Sequence, residues 1–183
     1  MAKLVTKTYA DALFQLAVEE NRVDELYSEV LGFADILRSN PELDAMMRHP
    51  GVDKNEKLDT IEKIFKGRVS EELCGLLHQT VINNRYTEID GILECFIGMV
   101  KEHKRIGVAY VVTAVELSDE QKDNIEKKLI ETSVYETMEM NYSVDEALIG
   151  GMQIRLGDRV VDSTISTKIN ELARELRRIH VFC

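Results

Sequence analysis

Over roughly the first hundred positions, apolar residues recur at three- and four-residue steps, the spacing of one helix face. Tyr9, Ala12, Leu13, Leu16 and Ala17 share one side of a first helix, and Ala10, Phe14 and Val18 form a second row on it. A helix with two apolar rows needs two sets of neighbours, so it is either central to its domain or half open to a partner. Val23, Leu26, Tyr27, Val30, Phe33, Ala34 and Leu37 mark a second helix. It ends at Ser39-Asn40, because the residue before Pro41 is pushed out of the helical region, and Pro41 can then open a short third helix through Met46 and Met47. Pro50-Gly51 breaks that one. Asp53 caps a fourth helix with the stripe Leu58, Ile61, Ile64 and Phe65, closed by Gly67. Ser70 caps a fifth, with Glu71 and Glu72 in its first turn, where the helix dipole favours anions. Leu73, Cys74, Leu76, Leu77 and Val81 are its apolar set. A sixth runs from Tyr86 to Arg105 through Ile89, Ile92, Leu93, Phe96, Ile97 and Val100.

The period changes at Gly107. Val108 to Val115 is a run rich in β-branched residues and reads as a buried strand. Ser118 caps a helix over Asp119–Thr132, and a second strand follows near Thr137–Tyr142. Met152, Ile154 and Leu156 alternate, Gly157-Asp158 forms a two-residue hairpin turn, and Arg159-Val160-Val161 returns. A last helix spans Thr164 to Ile179. The expected fold is therefore α+β in two domains: residues 1–105 as a six-helix bundle, and 106–183 as a smaller α/β domain with a hairpin and a terminal helix.

Charge and composition narrow the function. The formal net charge is −10, which repels phosphate backbones and anionic lipid and argues against nucleic acid as a partner. No stretch approaches the roughly 20 apolar residues of a membrane span, and Met1 to Tyr9 lacks the apolar run of a signal peptide. Cys74, Cys95 and Cys183 are odd in number and widely spaced, so they form no disulfide framework. Cys74 and Cys95 fall in apolar stripes and read as small buried hydrophobes.

Catalytic signatures are missing. His49, His78, His103 and His180 stand at no metal-ligand spacing, and there is no phosphate loop, dinucleotide fingerprint or nucleophile elbow. Gly150-Gly151 precedes a strand rather than a helix, so it reads as a bend or a close backbone approach. Asp158, Arg159 and Asp162 suit turn and cross-strand roles. The chain reads as an interaction protein, without a cofactor or metal, whose working surface is an apolar groove with a charged rim. A helical adaptor for an amphipathic helix is one form such a protein takes.

Two stretches carry a more specific resemblance. Tyr9-Ala10-Asp11-Ala12-Leu13-Phe14-Gln15-Leu16-Ala17-Val18-Glu19 and Leu148-Ile149-Gly150-Gly151-Met152-Gln153-Ile154-Arg155-Leu156-Gly157-Asp158-Arg159-Val160-Val161-Asp162-Ser163 resemble the opening-helix and C-terminal signatures of the delta subunit family of F-type ATP synthases, whose mitochondrial counterpart is the oligomycin sensitivity-conferring protein. Asn83-Asn84-Arg85 is similar to the family's asparagine-glycine-arginine element, with Asn84 in place of glycine. Val112 to Ser118 matches its strand-to-helix passage. The matches run in family order across nearly the whole chain.

The resemblance implies a non-catalytic connector between catalytic head and peripheral stalk. It would sit peripherally on the cytoplasmic face of a bacterial plasma membrane, with no membrane insertion of its own. It implies that the N-terminal bundle binds an N-terminal helix of an alpha subunit between its first and fifth helices. Tyr9, Ala12 and Leu13 would form one wall, and Leu76, Gln79, Thr80 and Asn83 the other. It implies that the C-terminal domain, which carries the motif residues Gly150, Gly151, Arg155, Gly157, Asp158 and Asp162, binds the b subunits of the stalk through its final helix, with Arg177 and Arg178.

Overall fold

The computed structural model describes the backbone of residues 2–179 and the side chains of residues 4–170, 173 and 174. The chain divides into two compact units, Met1–Lys101 and Glu102–Cys183.

The first unit is helical: α1 (Ala2–Glu19), α2 (Val23–Ser39), α3 (Pro41–Arg48), α4 (Lys54–Phe65) and α5 (Glu71–Ile82), then a 3₁₀ turn (Tyr86–Glu88) leading into α6 (Ile89–His103). The helix ends follow local chemistry. Asn40 leaves the helical region at φ −128°, and its side-chain amide donates to Ile36 O at 2.8 Å, closing α2 just before Pro41 opens α3. Ser70 accepts from Leu73 N at the start of α5, and its own N–H donates to Glu29 Oε2 at 3.0 Å, tying α2 to that start. Asn84, at φ +53°, takes the left-handed conformation where the resemblance places glycine.

All six helices contribute to one apolar core. Leu26, Val30, Phe33 and Leu37 of α2 are buried, as are Ile89, Ile92, Leu93, Phe96 and Val100 of α6. Phe33 meets Phe65 edge-on, with ring centroids 5.2 Å apart, a favoured aromatic geometry. Cys74 and Cys95 are half-buried rather than enclosed. Their stripes are wider than the strip of helix that the neighbours cover.

The second unit holds a four-stranded sheet in the order β2-β1-β3-β4, built from β1 (Ile106–Thr113), β2 (Thr137–Val144), β3 (Met152–Leu156) and β4 (Arg159–Asp162), with α7 (Asp119–Thr132) and α8 (Ile165–Ile179). β1 and β2 are parallel, joined through α7, whereas β1–β3 and β3–β4 are antiparallel. The strand expected from Val108 to Val115 starts two residues earlier and stops at Thr113. Thr113 Oγ1 donates to Val115 O at 2.7 Å there and turns the chain toward α7. Ser118 opens α7 with a full capping box.

Few apolar side chains of this unit are fully enclosed among the described residues. Ala109 and Val111 are its fully buried apolar residues among those described, and no residue of α7 is fully buried. Tyr110, Val115, Val134, Val144, Ile149, Val160, Val161, Ile165 and Ile169 are all exposed. No described helix is long and apolar enough to cross a membrane.

Candidate functional site: the α1–α5 seam and the α8 anchor

Two polar contacts set the alignment of α1 against α5. Asn83 Nδ2 donates to the Tyr9 hydroxyl at 2.9 Å. At the other end, Arg22, just past α1, bonds Glu72 of α5 at 2.9 Å while also holding Glu20 and Glu25. Residue 9 beside 83 and residue 22 beside 72 mean that the helices run antiparallel. The carboxylates gathered around the Arg22 guanidinium raise its pKa further, led by Glu25, and Arg22 in turn holds the Glu25 carboxyl below its ordinary range. This clamp stays charged across the physiological range.

Between these ends the seven residues expected to form the two walls divide by depth. Leu13, Leu76 and Thr80 are closed into the core, at 2%, 8% and 0% exposure. They support the seam from beneath and offer almost no surface. The Thr80 hydroxyl is satisfied by Leu77 O at 2.8 Å. Ala12, Gln79 and Asn83 are exposed, and Tyr9 is half-buried. Leu16, one turn beyond Ala12, is 43% exposed and belongs to the same face. It was not among the expected wall residues, although its spacing from Tyr9 and Ala12 was the signal that could have identified it. The rim is thus a small apolar strip, Ala12 and Leu16, flanked by amide groups and ending at a phenol.

The glycine-rich motif of the second unit does something different. Ser163 N donates to Met152 O and Ile165 N to Gly150 O, both at 2.9 Å, so the segment entering β3 clasps the segment entering α8. Gly151, at φ +89°, lies inside the clasp. Asp162 completes it. One carboxylate oxygen accepts from Thr164 N at 2.8 Å and the other from the Thr167 hydroxyl at 2.9 Å. These bonds, the Thr164 backbone N–H first, hold the Asp162 carboxyl below the usual carboxylate range. Gly150, Gly151 and Asp162 therefore converge on the start of α8. Gly157 and Asp158 form the hairpin turn between β3 and β4, and Arg155 lies over the Tyr110 ring at 4.9 Å. The side chains of Arg177 and Arg178 lie outside the described residues.

Because the folded-state pKa of Asp162 is depressed, its contribution is present above the ordinary carboxylate range, near pH 4, and is lost as pH falls through the folded value. Asp162→Ala is expected to lower the denaturation midpoint of the chain at neutral pH. The gap from the unaltered chain should narrow as pH is taken down below the ordinary carboxylate range. Midpoints followed by circular dichroism across that range test this, and a gap that stays constant would show that the carboxylate charge plays no part.

A cleft of about 620 Å³ between the α3–α4 and α5–α6 connections brings Arg48, Lys54 and Lys57 together. Its cations already bridge the fold. Lys54 Nζ donates to Ile82 O and Lys57 Nζ to His49 O, while Arg48 joins Asp44 at 2.7 Å to Asp90 at 2.6 Å. Among the described residues, no cluster of three His, Cys, Asp or Glu side chains could hold a metal ion.

Comparison with known proteins supplies the setting. Residues 5–176 match the family model described as ATP synthase delta (OSCP) subunit. The chain is 46% identical over 181 residues to "ATP synthase subunit delta" of Lachnoclostridium phytofermentans, covering 99% of this chain and 100% of that protein. It is 32% identical to the protein of that name in Prochlorococcus marinus, covering 95% and 97% of the two chains. It shares its fold with a chain in the mitochondrial ATP synthase hexamer of Toxoplasma gondii, with a TM-score of 0.74, 20% identity, and 93% and 96% of the two chains covered.

Proposed function

The chain belongs to the ATP synthase delta (OSCP) subunit family and is a non-catalytic subunit of the F-type enzyme, and from that premise we propose how its two units divide the work of a stator connector. The α1–α5 seam receives the N-terminal amphipathic helix of an alpha subunit from the catalytic head. The second unit receives the C-terminal ends of the stalk's b subunits. The assembly would stand at the cytoplasmic face of the membrane, held there by its partners.

A match to the family over nearly the whole chain carries the overall reading. The two units support its finer parts differently. On the seam, Ala12 and Leu16 present apolar surface between the fixed points Tyr9–Asn83 and Arg22–Glu72. An incoming helix can bury its own apolar stripe there at about 25 cal/mol per Å², before ordering costs. In the second unit, Val134, Val144, Ile149, Val160 and Val161 are exposed, and apolar surface left in water suits contact with a partner. Both contacts are passive. Rotation of a central shaft drags the head around unless a stator resists, and a link in that stator needs two interfaces and no reactive group.

Ala12→Glu combined with Leu16→Glu should abolish apolar burial on the rim while leaving the core intact, because both side chains project outward. Calorimetric titration of the full chain with a peptide copying the alpha-subunit N-terminus is expected to show at least about tenfold weaker binding, or about 1.4 kcal/mol. The helical signal should be unchanged. Equal affinity of the doubly substituted chain would remove the seam from the reading, as would failure of the unaltered chain to bind at tens of micromolar, about −6 kcal/mol.

A further inference from the structure

The two faces of the sheet are covered unequally. α7 packs on the face that carries Tyr142: the Tyr142 hydroxyl donates to Lys122 O at 3.3 Å, and Lys122 Nζ lies 5.7 Å from the centre of its ring. Successive residues of a strand point to opposite faces, so β1 reports the difference directly. Gly107, Ala109, Val111 and Thr113 are buried, whereas Val108 and Val112 are half-buried and Tyr110 is 45% exposed. Register sets Gln153 and Arg155 of β3, and Val160 of β4, on the open face with Tyr110. A cleft of about 350 Å³ lies there, bordered by Tyr110, Val112, Ser143, Gln153, Arg155 and Val160.

The charge in the middle of this face is unneutralised. The Arg155 guanidinium lies over the Tyr110 ring at 4.9 Å, and among the described residues it pairs with no carboxylate. Two carboxylates share the face by register, Asp162 beside Gln153 and Glu139 beside Val108. Neither is free. Asp162 is taken by Thr164 N and the Thr167 hydroxyl, and Glu139, on the far side of β1, has a partner of its own. Contact with an aromatic ring steadies a guanidinium without cancelling its charge. Around Arg155 the surface is apolar or neutral: Val112 and the 54%-exposed Val160, with the Gln153 amide and the Ser143 hydroxyl.

We propose that this open face receives the stalk partner through an acidic amphipathic segment, with a carboxylate on Arg155 and apolar side chains over Tyr110, Val112 and Val160. The inference rests on the reading of the second unit as the stalk-binding one, and it adds the sheet to the final helix as contact surface. A planar guanidinium matches a carboxylate through two parallel hydrogen bonds, which fixes orientation as well as affinity. A neutral or basic occupant would bury Arg155 without a counter-charge, at a cost. A second copy of this chain, meeting the same patch across a twofold axis, would bring two such guanidinium groups together.

The test is calorimetric titration of the full chain with a peptide copying the C-terminal end of a b subunit, and with the same peptide after each carboxylate is replaced by its amide. The replacement is expected to weaken binding to the unaltered chain by about tenfold at low salt. Arg155→Gln should bind the acidic peptide about tenfold more weakly than the unaltered chain does, and should bind the two peptides alike within about twofold. Val160→Glu, an exposed change on the same face, should weaken the acidic peptide at least as much. Arg159→Gln removes the same charge from the opposite face of the neighbouring strand, and should leave both affinities within about twofold of their original values. Circular dichroism spectra of all three variants should match that of the unaltered chain. Full affinity of Arg155→Gln for the acidic peptide, a carboxylate effect that persists in it, or an equal loss in Arg159→Gln would overturn this inference and leave the stalk reading in place. Failure of the unaltered chain to bind the acidic peptide at tens of micromolar, about −6 kcal/mol, would overturn both.

Discussion

Gly151→Ala is expected to destabilise the second unit by about 3 kcal/mol or more, a large part of the stability of a small domain. Two costs combine. At φ +89° an L-residue is strained whatever the space around it, by about 1–2 kcal/mol. The added Cβ would also fall against Ser163 O and 2.8 Å from Thr164 Cα. Both are backbone atoms, held by the bonds from Ser163 N to Met152 O and from Ile165 N to Gly150 O. They cannot rotate away as a side chain would, so the clasp must open and the start of α8 must move. Gly157→Ala is the control: its φ is +56° but nothing lies within 4 Å of its Cβ, so only the conformational term of about 1 kcal/mol applies. Hydrogen exchange resolves the two. Amides of β1 to β4 should exchange far faster in Gly151→Ala than in Gly157→Ala, while those of α1 to α6 keep their protection. Equal effects of the two substitutions would refute the clasp.

Phe33→Ala should have a comparable or larger effect on the first unit, about 3–5 kcal/mol. Phe33 is 2% exposed, and its edge contact with Phe65 ties α2 to α4. Truncation loses the transfer energy of the ring and leaves a cavity that six mutually packed helices can close only in part. Ile36→Ala on the same helix is the reference. Ile36 is 40% exposed, so its truncation should cost well under about 1 kcal/mol. Urea denaturation followed by circular dichroism suits a chain without Trp. The Phe33→Ala midpoint should fall steeply, and peptide binding at the α1–α5 seam should be lost together with the helical signal. A shift no larger than that of Ile36→Ala would mean that the core is not packed as described.

The candidate site was legible only in part, and the reason is geometric. Spacing marked the apolar rows of α1 and α5 and the family resemblance placed a groove between them, but Leu13 and Leu16 read alike in a list of apolar positions. Leu13 is sealed and Leu16 is open, because the neighbours of α1 cover one part of its wide apolar surface and leave the other. Thr80, polar and expected on a wall, is fully buried. Its hydroxyl satisfies itself locally on Leu77 O, a device that lets a threonine face a core without a long-range partner. The motif glycines were read as a bend or close approach. The structure supplies the other side of that approach, the backbone of Ser163 and Thr164.

What this sequence determined by itself is what depends on neighbours within a few residues. The switch of hydrophobic period at Gly107, Pro41 at a helix start, the Ser70 and Ser118 caps and the hairpin turn at Gly157-Asp158 all arise from backbone dihedrals and short-range hydrogen bonds. What only the tertiary structure decided is which surfaces meet. The parallel pairing of β1 with β2, the strand order that leaves β2 at an edge, and the antiparallel alignment of α1 and α5 join residues far apart in the chain. No window of sequence contains both partners of such a contact, and their pairing is selected by the burial and hydrogen bonding of the folded whole.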